Sequence, residues 1–171
     1  LVGSNRLAAQ EAAATATSLG YRTLLLSTFL EGEAREVGKV MAALAKGVRF
    51  NADPLAPPAC IVMGGETTVT VNGPGKGGRN QELALSAALA LDGLRGVALM
   101  ALATDGTDGP TDSAGAVVDG TSKTRMAKSG FDALACLKQN DSYPALAAVG
   151  DLMVTGPTGT NVNDLMVLLV E

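Results

Sequence analysis

Between Val71 and Glu82 the chain reads VNGPGKGGRNQE, with glycine at positions 73, 75, 77 and 78. The stretch lies between the alternating run Thr67-Thr68-Val69-Thr70-Val71 and the apolar run from Leu83 to Leu91. That order predicts a strand, a glycine loop and a helix, which is a building block of α/β folds. Glycine permits φ > 0 and lets backbone N–H groups come close to a ligand, while the helix start adds unpaired N–H groups and the positive end of the helix dipole. The expectation is an anion-binding place. Lys76 and Arg79 support it, because bases at a helix start are disfavoured by a few tenths to about 1 kcal/mol and so point to a negative partner. The alternative is a loop whose glycines serve only a tight turn, with two solvated bases.

The flanking segments extend the α/β pattern. Ser4 or Asn5 can cap a helix through LAAQEAAATATSL that stops at Gly20. Tyr21 to Phe29, with the continuous Leu24-Leu25-Leu26, reads as a strand covered on both sides. Ala34, Val37, Met41, Leu44 and Val48 recur at helical spacing, and Glu31 and Glu33 suit the dipole at that helix's start. Asn51 to Pro58, with three prolines, is an extended connector. Ala59–Met63 and Thr67–Val71 are expected to form a hairpin around Gly64-Gly65-Glu66, with Glu66 at the turn. A buried helix follows from Arg79 to about Asp92, whose polar residues Arg79, Asn80, Gln81, Glu82 and Ser86 gather at the end facing the glycine loop. Further strands are expected at Gly96–Ala103, at Ala116–Asp119 as an edge, and at Leu165–Val170, with three short helices between Thr121 and Gly150. The predicted fold is therefore α/β, a mixed β-sheet flanked by helices in one domain.

Composition narrows the chemistry. A chain of 171 residues that is 47% hydrophobic but 3% aromatic, with no Trp, must build its core from Ala, Leu, Val and Met. A net charge of −4 argues against a nucleic-acid footprint, which needs a basic face. Histidine is absent, which excludes a Ser-His-Asp triad, a Cys-His pair and an HExxH zinc site within this chain. Cys60 and Cys136 are far apart and sit among apolar residues, so neither a disulfide framework nor a zinc site is supported, and a reducing cytoplasm is expected. No apolar run approaches the ~20 residues of a spanning helix, so no membrane partner is expected. Leu1 is not Met, and Leu1-Val2-Gly3-Ser4-Asn5 reads as a strand end running into a helix, so a piece of a longer protein is expected.

Two polar loops accompany the glycine loop. Thr104 to Asp112 places Asp105, Asp108 and Asp112 after a strand's end, where ligands gather in open α/β sheets and a magnesium-phosphate site is expected; turn chemistry is the alternative. An EF-hand is excluded, since the position twelve residues into that loop is Ala116. Val154 to Asp164 forms a second glycine-containing loop before the last strand. Gly73-Pro74-Gly75-Lys76-Gly77-Gly78 fits the GxGxxG spacing, yet Asp92, about 20 residues on, falls in a helix-end loop, Asp105 at the end of the next strand comes late, and no GK is followed by Ser or Thr as a Walker A loop requires.

The strings GGETTVTVNGPGKGGRNQELALSAALAL, ATDGTDGPTDSAGA and GPTGTNVNDLMVLLV resemble the carboxyl-terminal region, often called the MOFRL domain, of the glycerate kinases that form 2-phosphoglycerate, a family with members labelled hydroxypyruvate reductase. The resemblance covers nearly all of residues 1–171, including the opening GSN and Gly32-Glu33-Ala34. It implies ATP-dependent phosphorylation of D-glycerate with Mg²⁺, in a cleft between this domain and a preceding Rossmann-like domain absent from this chain, so that the piece alone is inactive.

On these residues, the resemblance implies catalytic roles for Arg79 and Asp105. Lys76, Gly77, Gly78 and Asn80 would hold phosphate or the glycerate carboxylate, and Glu66 and Asn161 would contact substrate. Asp105 would act as base or, with Asp108, hold Mg²⁺. Two other functions remain open at this point: an NAD(P)H-dependent hydroxypyruvate reductase, and a non-catalytic anion-binding or assembly domain. The oligomeric state is not legible.

Overall fold

The computed structural model describes residues 3–171; the expected strand end at residues 1–2 lies outside them. Six strands form one mixed sheet, in the order β1 (Arg22–Leu30), β2 (Ala59–Gly65), β6 (Asp164–Val170), β3 (Val97–Ala103), β4 (Gly115–Asp119), β5 (Leu152–Met153). β1 and β2 run parallel, and every other neighbouring pair is antiparallel.

On one face lies α1 (Asn5–Ser18), an Ala-rich helix capped by Ser4, whose hydroxyl accepts the Leu7 N–H at 3.2 Å. Ala9 and Ala16 pack there against Cys60 and Val62 of β2. Both cysteines are free, and burial pushes the Cys60 thiol up to about 11, which fits an inert packing role. The other face carries the main core under α2 (Ala34–Asn51) and α3 (Arg79–Ala90), joined by the short helices α4 (Ser122–Lys128), α5 (Ala133–Lys138) and α6 (Ser142–Ala147). Leu83, Leu85 and Leu91 are fully buried against Leu99 of β3 and Met166 and Leu168 of β6. β3 and β6 alternate buried and half-buried residues, so the α2–α3 side takes every second side chain.

Three expectations change. β1 is an edge strand covered only in part: Leu24 packs toward the α2–α3 core and Leu25 toward α1, as expected, but Leu26 and Phe29 are exposed. β4 is not the edge, because β5 pairs outside it. Thr67–Val71 is not a strand, and there is no hairpin around Glu66. β2 already has β1 on one side and β6 on the other, so no edge remains for a hairpin partner. Gly65, at φ +149, turns the chain out of the sheet at a point where a side chain would run into the backbone of Leu30. The following residues form an extended strap along the start of α2, where Thr68 donates its N–H to Gly32 O (2.9 Å) and accepts that of Ala34 (2.8 Å).

Candidate functional site at the carboxyl edge of the sheet

The register aligns Leu30, Gly65, Asp164 and Ala103 across four adjacent strands. At this edge β1, β2 and β3 end and β6 begins, and α1, α2 and α3 all start there. Helices returning over a sheet from strand ends bring their positive N-terminal ends to one rim, which is where open α/β sheets hold ligands.

Arg79 is the first residue of α3 and stands at the centre of this rim. Its Nε donates to Asp164 Oδ2 at 2.6 Å and its Nη2 to Asp164 Oδ1 at 2.8 Å, while Nη1 lies 3.4 Å from Glu66 Oε1. Asp164 is fully buried, and Glu66 is about half exposed. The hydrogen bonds to Asp164 hold the Arg79 guanidinium proton more tightly than usual, against the opposing effect of burial. A cation at a helix start thus has its negative partner inside the protein.

Asp108 supplies a second one. Gly78 has no side chain to cap α3, so the Asp108 carboxylate does it from a neighbouring loop. Its oxygens accept the N–H groups of Asn80 (3.1 Å) and Gln81 (2.8 Å), and Asn80 Nδ2 adds a bond at 3.3 Å. Gln81 Nε2 ties the same loop through Thr111 Oγ1 at 2.8 Å. Asp108 is 1% exposed, and burial pushes its carboxyl up to about 6, opposed by those hydrogen bonds and aided by the charge of Asp164. Asp108, expected from the sequence as a metal ligand, here caps the helix, with both oxygens accepting N–H groups of the helix start. Asn80, expected to bind phosphate, has its side-chain amide on the same carboxylate.

The glycine loop is built for close approach rather than for special backbone angles. None of Gly73, Gly75, Gly77 and Gly78 has positive φ, contrary to the expectation. A Cβ on Gly73 would stand 2.5 Å from Gln139 Cα, one on Gly75 would stand 2.5 Å from Asp141 Cβ, and those on Gly77 and Gly78 would meet Ser142 Oγ and the Asp108 carboxyl. The loop is clamped onto the α5–α6 turn: Gly75 N–H reaches Gln139 O (2.9 Å), Lys76 N–H reaches Asp141 Oδ1 (2.8 Å), and Tyr143 N–H reaches Lys76 O (2.9 Å). Asn140 Oδ1 accepts the N–H groups of Asn72 and Gly73, while its Nδ2 donates to Glu82 Oε2 at 2.8 Å. Glu82, buried, is paired with Arg35 Nε at 2.8 Å. Lys76 itself is exposed, with Nζ 4.2 Å from the centre of the Tyr143 ring.

The N–H groups of Gly77, Gly78 and Arg79 meet no acceptor among the described residues. Together with the Arg79 guanidinium they border an open cleft of about 590 Å³, walled by Glu66 to Val69, Val71, Gly109 and Pro110. A second cleft of about 480 Å³ lies on the other side of Glu66-Thr67-Thr68, toward Phe29, Glu31 and Asn163. Asp105 is half-buried in the loop after β3, accepting Thr107 N–H at 3.0 Å and Asn161 Nδ2 at 3.2 Å. The structure thus brings together Glu66, Gly77, Gly78 and Arg79 at one cleft and pairs Asp105 with Asn161, while Lys76 is outside the residues that line the cleft.

The pattern of the MOFRL family matches residues 59–164, which contain Glu66, the whole glycine loop, the carboxylate loop and Asp164. The chain belongs to the MOFRL family. A D-glycerate 2-kinase from Thermotoga maritima is 50% identical over 170 residues, and a glycerate 2-kinase from Pyrococcus horikoshii is 44% identical over 171, each covering 99% of this chain. A protein of Agrobacterium vitis, provisionally named hydroxypyruvate reductase, is 48% identical over 172 residues. The solved structure of the Thermotoga maritima glycerate kinase matches all of this chain at a TM-score of 0.98, and that of a Pyrococcus horikoshii protein matches 99% of it at 0.95. This MOFRL chain spans 41% and 39% of the lengths of the first two relatives.

Reading the sequence missed three residues of this candidate site, Asp164, Arg35 and Asn140, and found no partner for Glu82. One signal was available. An acid at the first position of the apolar strand DLMVLLV, with no histidine or lysine nearby in sequence, calls for an arginine partner in space. Arg35 and Asn140 gave no signal, because each is an ordinary surface-type residue until the fold places it against Glu82.

Proposed function

We propose that this chain is the MOFRL part of a glycerate 2-kinase, which moves the γ-phosphoryl group of ATP to D-glycerate and completes its site with a preceding Rossmann-like domain. The observation that carries the reading is the start of α3. Three N–H groups without an acceptor among the described residues and one guanidinium border a common cleft at the carboxyl edge of the sheet, in a chain 50% identical to a protein named D-glycerate 2-kinase. Phosphoryl transfer needs positioning and charge stabilisation more than covalent help, and oriented N–H groups with an arginine supply both. Arg79 and the Gly77–Gly78 backbone would grip an anionic group of the substrates, while Glu66, at the cleft wall, would accept a hydroxyl hydrogen.

A magnesium ion fits this rim at Asp105 and less well at Asp108. Kinases hold Mg²⁺ with one or two carboxylates and the phosphates themselves, and Asp105 is half-exposed with one oxygen held only by the Asn161 amide. When bound, Mg²⁺ with ATP would supply the phosphoryl group and neutralise the charge developing on it. Asp105 would hold the ion or take the proton of the attacking hydroxyl, and Asn161 would keep its carboxylate turned toward the rim.

The test is an assay of the natural full-length protein with D-glycerate, ATP and Mg²⁺, run beside hydroxypyruvate with NAD(P)H. Kinase turnover without reductase turnover is expected, and the reverse refutes the reading. Arg79→Ala should lower kcat/KM by about 10²–10³, the size of a lost charge-stabilising group; a change below tenfold would remove Arg79 from the centre of the site.

A further inference from the structure

We propose that Asp164 is a positioning residue for this reaction: it grips the Nε–Nη2 edge of the Arg79 guanidinium so that the adjoining Nη1–Nη2 edge is presented to the substrate's carboxylate or phosphate. The inference rests on the kinase reading above and adds to it a residue outside the glycine and carboxylate loops.

The geometry carries it. A guanidinium has five N–H donors arranged as rigid forks that match a carboxylate or phosphate two at a time. Asp164 takes the fork formed by Nε and Nη2, at 2.6 and 2.8 Å. The remaining N–H groups lie on Nη1 and on the outer side of Nη2, and they form a second fork that has no hydrogen-bond acceptor among the described residues. Nη1 is 3.4 Å from Glu66 Oε1, and Arg79 and Glu66 both line the cleft, so the free fork looks into it. Glu66, half exposed and held there only by the 3.4 Å ion pair with Nη1, can yield its place to an incoming anion.

Asp164 is itself held without freedom. It is fully buried, it is the first residue of β6, and its backbone is registered between Gly65 of β2 and Ala103 of β3. Its carbonyl accepts Asn5 Nδ2 at 2.8 Å from the start of α1. An arginine held this way cannot swing, and an arginine without this carboxylate could swing toward Glu66 or solvent. Stability alone explains the pair poorly. A desolvated ion pair is often no better than apolar packing of the same volume, and a base at the first position of a helix opposes the dipole.

The experiment uses the natural full-length protein and guanidinium ion as the probe. Arg79→Ala leaves the Asp164 cradle in place, so added guanidinium should occupy it and restore kcat/KM by about tenfold or more. In Arg79→Ala combined with Asp164→Asn the cradle has lost its charge, and guanidinium should restore nothing. Asp164→Glu keeps the charge but moves the carboxylate by one methylene. It should bind D-glycerate at least about tenfold more weakly by calorimetry while melting within a few degrees of wild type, a split that a merely structural role would not produce. Equal rescue with and without the Asp164 carboxylate, or unchanged D-glycerate affinity and kcat/KM in Asp164→Glu, overturns the inference and leaves the kinase reading standing. A wild-type protein that does not phosphorylate D-glycerate overturns the kinase reading and the inference with it.

Discussion

Gly78→Ala separates two accounts of the glycine loop, a ligand cradle and a packing contact. The backbone of Gly78 is extended, at φ −135 and ψ 178, so alanine suits it and should lower the entropy of the unfolded chain, a gain of about 0.4–1 kcal/mol. The obstacle is space: the new Cβ would clash with the Asp108 carboxyl group and stand 2.5 Å from the Asp108 backbone carbonyl carbon. Asp108 is buried and cannot retreat without giving up the N–H groups of Asn80 and Gln81. Losing a cap costs about 0.5–2 kcal/mol, hydrogen bonds to a charged acceptor contribute about 1.5–3 kcal/mol, and overpacking costs about 1–3 kcal/mol. These overlap, and a net loss of about 2–4 kcal/mol is expected. At about 2–4 °C per kcal/mol for a chain of this size, melting should fall by about 5–15 °C. The assay is thermal melting of the natural protein carrying Gly78→Ala, Asp108→Ala, or both. If the contact is the cause, the double variant should be more stable than the sum of the two single losses predicts, by about 1–3 kcal/mol. A Gly78→Ala protein that melts with wild type, or additive losses in the double variant, would refute the packing account.

Three further outcomes follow from the same contacts. Asn140→Ala should cost about 2–4 kcal/mol in urea unfolding, because the N–H groups of Asn72 and Gly73 and the buried Glu82 carboxylate all lose their partner. Asp108 has a folded pKa raised from 3.8 to about 6, so the fold binds its proton more tightly than the unfolded chain does. Its contribution to stability is full below 3.8 and is lost as pH rises through about 6, a change of about 3 kcal/mol at 1.36 kcal/mol per pKa unit. The difference in melting temperature between wild type and Asp108→Asn should therefore change across that window, and a flat difference would contradict the burial argument. Gly65→Ala should cost more than about 3 kcal/mol by the same unfolding measurement, since φ +149 and the Leu30 backbone both exclude a side chain.

Much of the fold is legible in the chain because local periodicity and burial coincide. The helical spacing of Val37, Met41, Leu44 and Val48, the apolar runs of β2, β3 and β6, and the small-residue stretch of α3 each declare their type without reference to a neighbour. Strand pairing is not local. The alternation of Thr67–Val71 reads as a strand, and only the occupation of both edges of β2 by β1 and β6 denies it a place in the sheet.

The start of α3 shows the same division. The spelling VNGPGKGGRNQE determines by itself a glycine loop entering a helix, and two bases at a helix start imply nearby negative charge. Tertiary structure decides where that charge is. Asp108 arrives from 28 residues away to cap Asn80, and Asp164 from 85 residues away to hold Arg79. The four glycines are also reassigned by the fold, from bending the backbone to admitting the α5–α6 turn and the Asp108 carboxyl. Sequence spacing reports what one segment can do, whereas hydrogen-bond partners and close contacts are set by which segments the sheet brings to its rim.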